Sequence, residues 1–260
     1  MMFKILNFTI LLLVSLTFTR NVIANGSLGG VYLIETYPIK ENLFIQGFEL
    51  DQEAQLLIGT GLYGESAWGY FNWEKGLLDR FIGLDNQYFG EGISLRDNEL
   101  WQLTWKEGKV FKWDVKTKEL VNTYEIKGEG WGLAYNEEKD LFYLSDGSST
   151  IYTYNPDNFK LVDQVEVNLE GEPLDQLNEL EYANDAIYAN IWYDNRIVKI
   201  DPQSGQILKT YDLTPMLDQL DLTAEQRETM DVLNGIAHIE ADQFYLTGKN
   251  YPLIFKVELK

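Results

Sequence analysis

Five triplets in this chain share one grammar: a polar or hydrogen-bonding residue, usually a glycine, then a large apolar residue that opens an alternating run. They are Gln46-Gly47-Phe48, Glu91-Gly92-Ile93, Trp131-Gly132-Leu133, Asn178-Glu179-Leu180 and Asn234-Gly235-Ile236. Their starts lie 45, 40, 47 and 56 residues apart, the spacing of a repeat architecture. The scaffold positions repeat while the first residue changes, so that position is the one presented to something else. The available chemistry is narrow. Cysteine is absent and His238 is the single histidine, which removes thiol chemistry, disulfides and histidine-rich zinc sites. His238 reads as a strand or surface histidine. What remains is carboxylate chemistry in an aromatic setting.

Phe44, Phe89, Trp105, Trp131 and Trp192 fall at the triplets or one strand beyond them, beside Gln46, Glu91, Asn178 and Lys249. Each aromatic taken singly is more readily core than site. Together they describe a cavity with an apolar body and few polar groups, as small-molecule sites have. A glutamate among aromatics loses hydration, which disfavours its charged form and raises its pKa. Such a group can take a proton in one step and return it in the next. The residues alone leave a purely structural channel glutamate open.

The elements that must position these residues are short strands. Runs rich in Tyr, Phe, Trp, Ile, Val and Thr are broken by turn signals such as Asp146-Gly147, Asn155-Pro156 and Asp201-Pro202. Each triplet is followed by three further strand-like runs, except that the chain ends at Lys260 before the fifth repeat has its fourth. Thr36-Tyr37-Pro38-Ile39, ahead of the first triplet, matches the fourth-strand copies Thr123-Tyr124 and Thr210-Tyr211. The expected fold is therefore all-β: a five-bladed β-propeller of four-stranded antiparallel blades, its N-terminal strand closing the last blade. The first strand of each blade lines the central channel, so the five variable positions meet near one end. Thr223 before Ala224-Glu225-Gln226 predicts a helix start. The insertion at 217–227 lengthens the last spacing and is expected to cap one end of the channel.

Lys4, the apolar run Ile5 to Phe18 and Val22-Ile23-Ala24 read as a cleaved signal peptide over 1–24. Residues 25–260 then form a single propeller domain, exported to the periplasm or secreted. Lys and Arg number 21 against 41 Asp and Glu, for a net charge of −20. That surface repels nucleic acid and anionic membranes, so neither is expected as a partner.

Ordered motifs then carry a resemblance. Phe-x-Gln-Gly-Phe-Glu-Leu (44–50), Gly-Thr-Gly-Leu-Tyr-Gly (59–64), Tyr-Phe-Gly-Glu-Gly-Ile (88–93) and Gln-Leu-Thr-Trp (102–105) are followed by Gly-Glu-Gly-Trp-Gly-Leu (128–133) and Ser-Asp-Gly-Ser (145–148). Leu-Asn-Glu-Leu-Glu-Tyr (177–182), Asn-x-Trp (190–192), Val-Leu-Asn-Gly-Ile-Ala (232–237) and Leu-Thr-Gly-Lys (246–249) complete the series. Over about residues 29–260 the chain resembles the plant- and bacterial-type glutaminyl-peptide cyclotransferases.

The resemblance implies a five-bladed propeller enzyme of the aminoacyltransferase class. It would convert the N-terminal glutamine of peptides and proteins to pyroglutamate, releasing ammonia. Glu91 would be the catalytic acid/base, and Phe44, Gln46, Phe89, Trp105, Trp131, Asn178, Trp192 and Lys249 would bind substrate. No cofactor and no catalytic zinc are expected, with room for a structural calcium ion, and a monomer is expected. Ile45 departs from the family pattern, which usually has Thr there; facing away from the channel, it should change packing and not activity. Two rivals stand beside this reading: a non-catalytic propeller binding peptide or sugar, and a calcium-dependent lactonase-like hydrolase using Glu91, Asn178 and Asn234.

Overall fold

The computed structural model describes residues 27–260, and the predicted leader over 1–24 lies outside the described residues. Five blades, each built on four antiparallel strands, form the ring. The first blade runs Ile45–Leu50, Leu56–Thr60, Ala67–Asn72, Leu77–Gly83; the second Gly90–Arg96, Glu99–Thr104, Lys109–Asp114, Leu120–Glu125. The third runs Leu133–Asn136, Leu141–Ser145, Thr150–Asn155, Lys160–Glu166; the fourth Leu177–Ala183, Ala186–Ile191, Arg196–Ile200, Ile207–Asp212. The fifth comprises Leu233–Glu240, Gln243–Gly248 and Leu253–Leu259, and the N-terminal strand Val31–Pro38 supplies its outer edge. The first strand of each blade packs beside the first strands of its two neighbours, closing a ring of five.

Burial falls from axis to rim because each blade is covered on both faces by its neighbours. Leu56–Thr60 and Ala186–Ile191 are buried at every residue, whereas Leu120–Glu125 and Lys160–Glu166 are mostly exposed. The core is five wedges between blades, not one central mass. Leu57, Trp68, Ile93 and Phe111 fill the wedge between blades one and two; Trp101, Leu133 and Phe142 fill the next. Each such side chain contributes roughly 1.5–3 kcal/mol by burial.

The triplets are where the inner ladders break step. Pairing registers shift between Ile45 and Gly47, Gly90 and Ile93, Leu177 and Leu180, and Leu233 and Ile236. A bulge of this kind re-aims a side chain without ending the strand. In the third blade the regular strand begins only at Leu133, yet Trp131 N–H still donates to Ser145 O at 2.9 Å. The glycines mark backbone pressed against backbone. A Cβ on Gly132 would lie 2.1 Å from Asn178 O, and one on Gly92 2.6 Å from Trp131 O.

Closure is doubled at the N-terminus. Val31–Pro38 pairs antiparallel with Leu253–Leu259, while Ser27–Gly29, not foreseen, adds a parallel fifth strand to blade four beside Ile207–Asp212. A two-stranded ribbon, Asn168–Leu169 with Glu172–Pro173, bridges blades three and four. The insertion folds as helices Thr214–Asp218 and Ala224–Thr229, the second opened by a capping box between Thr223 and Gln226. It does not cap the channel cavity, contrary to expectation. Met216, Leu217 and Leu220 instead join Tyr211, Leu233 and Tyr251 in the wedge between blades four and five. That apolar stripe gains more by entering the core than it would at a wet channel mouth.

Candidate active site

Four of the five variable residues, Gln46, Glu91, Trp131 and Asn178, gather around one cavity of about 260 Å³. Phe44, Gln46, Phe89, Glu91, Trp105, Trp131, Asn178, Trp192 and Lys249 all line it, joined by Leu62, Tyr193 and Asp231. All nine residues singled out in the sequence therefore meet in one place. Gln46, Phe89, Glu91, Asn178 and Lys249 are buried, while Phe44, Trp105, Trp131 and Trp192 are partly open.

Glu91 sits among these rings as the buried carboxylate of the cavity; Asp231 is exposed at its edge. Gln46 Nε2 donates to Glu91 Oε1 at 3.0 Å. Burial lifts the Glu91 carboxyl well above the usual carboxylate range; the Lys249 charge opposes the shift, and Glu129 and Glu107 add to it. Lys249 responds in the complementary sense. Burial depresses its ammonium, with Glu91 and Asp231 pulling the other way. Its Nζ stands over the Phe44 ring, 5.0 Å from the centroid, a cation–π contact that favours the charged form within an apolar wall.

The aromatic walls are set edge to face. Phe89 meets Phe44 at 6.1 Å and Trp105 at 5.4 Å between centroids, and Trp131 meets Trp192 at 5.3 Å with their planes at 89°. Asn234 does not line the cavity. Its Nδ2 donates to Ile45 O at 2.9 Å and to Gln46 Oε1 at 3.3 Å, while Asn190 Oδ1 accepts from Gly235 N–H at 2.9 Å. Asn234 thus occupies the acceptor end of the Gln46 amide, so that its NH2 end faces Glu91. Asn178 shows the reverse economy. Its backbone O accepts from Ser145 Oγ at 2.6 Å, yet its buried Oδ1 has no hydrogen-bond partner among the described residues.

Sequence reasoning missed Leu62, Tyr193 and Asp231 in the lining, and Glu129 behind it. Leu62 and Tyr193 both hold left-handed backbone, at φ of 79° and 62°. Such conformations cost on the order of 1–3 kcal/mol and collect at functional sites. A signal for Leu62 lay in its motif, Gly-Thr-Gly-Leu-Tyr-Gly, whereas Asp231 sits in a polar stretch with no pattern. Glu129 accepts from Trp105 Nε1 at 2.7 Å and from Trp131 Nε1 at 2.9 Å.

The glutamine cyclotransferase family model matches residues 8–259. The chain belongs to the glutamine cyclotransferase family. It is 32% identical over 232 residues to the glutaminyl-peptide cyclotransferase of Arabidopsis thaliana, covering 88% of this chain and 71% of that one. The crystal structure of Myxococcus xanthus glutaminyl cyclase superposes with a TM-score of 0.77 at 32% identity, over 90% of this chain and 98% of that one. A structural-genomics protein from Bacteroides thetaiotaomicron shares 10% identity at a TM-score of 0.54, over 89% and 76% of the two chains, a likeness of fold alone. This member of the glutamine cyclotransferase family builds a five-blade ring around its aromatic cavity.

Proposed function

We propose that this chain cyclises the N-terminal glutamine of peptides and proteins to pyroglutamate and releases ammonia, without a metal or cofactor. The observation that carries the reading is one buried carboxylate, Glu91, held by a side-chain amide inside an aromatic cavity with Lys249 close by. The substrate brings its own nucleophile, so the enzyme needs none. Folding the glutamine side chain back onto its α-amine is a large part of the task, and a cavity of this size walled by rings enforces that geometry.

In the reaction the α-amine nitrogen bonds to the side-chain amide carbon, and the bond from that carbon to its NH2 breaks. Glu91 takes a proton from the attacking nitrogen and delivers it to the departing one, which leaves as ammonia. Burial brings the proton affinity of Glu91 nearer to that of an amine, making it a better acceptor than a hydrated carboxylate. The indoles of Trp105 and Trp131 already donate to Glu129. The developing oxyanion is therefore left to the free N–H of the Gln46 amide and to Lys249. The unpartnered Asn178 Oδ1 accepts from a substrate N–H.

The test is incubation with a Gln-initiated dipeptide, read by mass spectrometry and by ammonia release. Loss of ammonia from the peptide supports cyclisation; saturable binding without it would replace the enzyme with a binding protein.

A further inference from the structure

Behind the cavity wall, one side chain holds two of its rings. Glu129 lies in the loop between blades two and three, within Gly-Glu-Gly-Trp-Gly-Leu. A single oxygen, Oε2, accepts both indole N–H groups: from Trp105, which follows the second strand of blade two, and from Trp131, which opens blade three. The loop is itself tied to the first of these residues, because Gly130 N–H donates to Trp105 O at 3.0 Å. The two indoles thus meet across the join between blades through one carboxylate. Among the described residues no ring–ring contact does that work: Trp105 packs against Phe89, and Trp131 against Trp192.

We propose that Glu129 is a positioning residue: its carboxylate fixes the Trp105 and Trp131 rings as adjoining walls of the glutamine pocket and holds a negative charge near Glu91. The proposal rests on the cyclotransferase reading of the cavity. An indole N–H accepted by a charged oxygen is held more tightly than one facing water or a neutral acceptor. A ring free to rotate about χ1 or χ2 would lose the near-attack geometry on which an enzyme without its own nucleophile depends. The charge has a second effect. Glu129 and Glu107 both push Glu91 toward its neutral form against Lys249. Other ionisable groups near this wall include Asp231 at the cavity edge, Tyr193 in the cavity lining, Tyr63, whose hydroxyl donates to Glu107 at 2.8 Å, and Lys106, whose Nζ lies 3.7 Å from the Trp105 ring centroid.

Two variants separate the geometric from the electrostatic part. Glu129→Ala removes the acceptor of both indoles. Glu129→Gln keeps one oxygen with two lone pairs for them and removes the charge. The indole N–H resonances of Trp105 and Trp131 are followed by NMR without turnover, and kcat and KM are measured against pH on a Gln-initiated dipeptide. Glu129→Ala should shift both resonances away from their hydrogen-bonded positions and raise KM by about tenfold or more. Glu129→Gln should hold the resonances closer to wild type and recover most of KM. It should also move the acidic limb of kcat/KM to lower pH, because a charge opposing ionisation of Glu91 has gone. Unmoved resonances and KM in Glu129→Ala would overturn the proposal, as would equal damage in both variants with an unmoved acidic limb. If the alanine variant fails to fold, the amide variant decides alone: displaced resonances or an unmoved limb overturn it. A wild-type protein that releases no ammonia but loses its indole shifts in Glu129→Ala would sink the functional reading and leave the positioning intact.

Discussion

The two ends of the channel hold the same kind of group and put it to different use. At one end Glu91 is buried among rings, takes a hydrogen bond from a side-chain amide and faces Lys249. One to three residues beyond Gln46 and Asn178 on the inner strands, Glu49, Glu179 and Glu181 are also held above the usual carboxylate range by burial, Glu49 to about 7. Their partners differ. Glu49 accepts from Ser94 Oγ and Leu95 N–H of blade two, and Glu179 and Glu181 accept from Ile236 and His238 N–H of blade five. These three lace neighbouring inner strands together. The cavity at that end is larger, about 430 Å³, and is lined by Glu49, Asp97, Glu137, Glu138, Glu181 and Asp185, with neither Lys nor Arg among the described residues. A raised carboxyl therefore reports burial. What it donates to or accepts from decides whether it is mortar or machinery.

The sharpest way to break that comparison is to remove one charge from each end. Glu91→Gln should keep the fold by circular dichroism and lose about 10²–10⁴-fold in kcat on a Gln-initiated peptide. Glu181→Gln, which keeps an oxygen for His238 N–H, should turn over near the wild-type rate. Similar losses in both would erase the distinction. A smaller effect is expected at Asn234. Asn234→Ala frees the Gln46 amide to flip, and kcat should fall by roughly tenfold, the worth of one misdirected hydrogen bond. An unchanged kcat would mean that Gln46 is held by other contacts.

At the lacing end the readout is stability. Glu179→Ala strands the buried Ile236 N–H and should cost about 1–3 kcal/mol in urea unfolding. The raised carboxyls also set a pH dependence. The folded state binds protons that the unfolded chain releases, so their contribution is complete below the ordinary value of 4.5 and is lost as pH rises through the folded value, about 7 for Glu49. Tm should therefore decline between about pH 5 and 8, and less steeply in Glu49→Gln. A Tm that climbs over that window in wild type would refute the assignment. The smallest effect is expected from chelation: exhaustive treatment with EDTA should leave turnover unchanged, and loss restored by zinc would contradict the metal-free chemistry.

Much of this was legible in the chain because repetition exposes it. Five copies of one triplet counted the blades, and Thr36-Tyr37 matched outer strands two and four closely enough to reveal ring closure. The cavity lining was legible because aromatic and amide residues stand out against repeating scaffold. Elements that act through backbone alone left no trace: Ser27–Gly29 is three residues with no side-chain pattern, held by parallel pairing with Lys209–Tyr211. Glu129 was hidden for another reason. Among 41 acids a loop glutamate reads as solvated surface, and only the convergence of two indoles from different blades gives it a role. The buried glutamates of the inner strands were masked in the same way, since alternation places a polar residue there whether it meets water or a neighbour's N–H.

Ring closure has a consequence in time. Gly30 and Lys260 exchange backbone hydrogen bonds, so the first described strands and the last residue of the chain are clasped together. The Gln46 amide is meanwhile oriented by Asn234, 188 residues away. A nascent chain still lacking its fifth blade thus has every aromatic wall of the pocket encoded but lacks the Asn234 contact that orients the amide beside Glu91. On the proposed function, full turnover would wait until blade five docks against blade one, which makes the rate a reporter of that late step in folding.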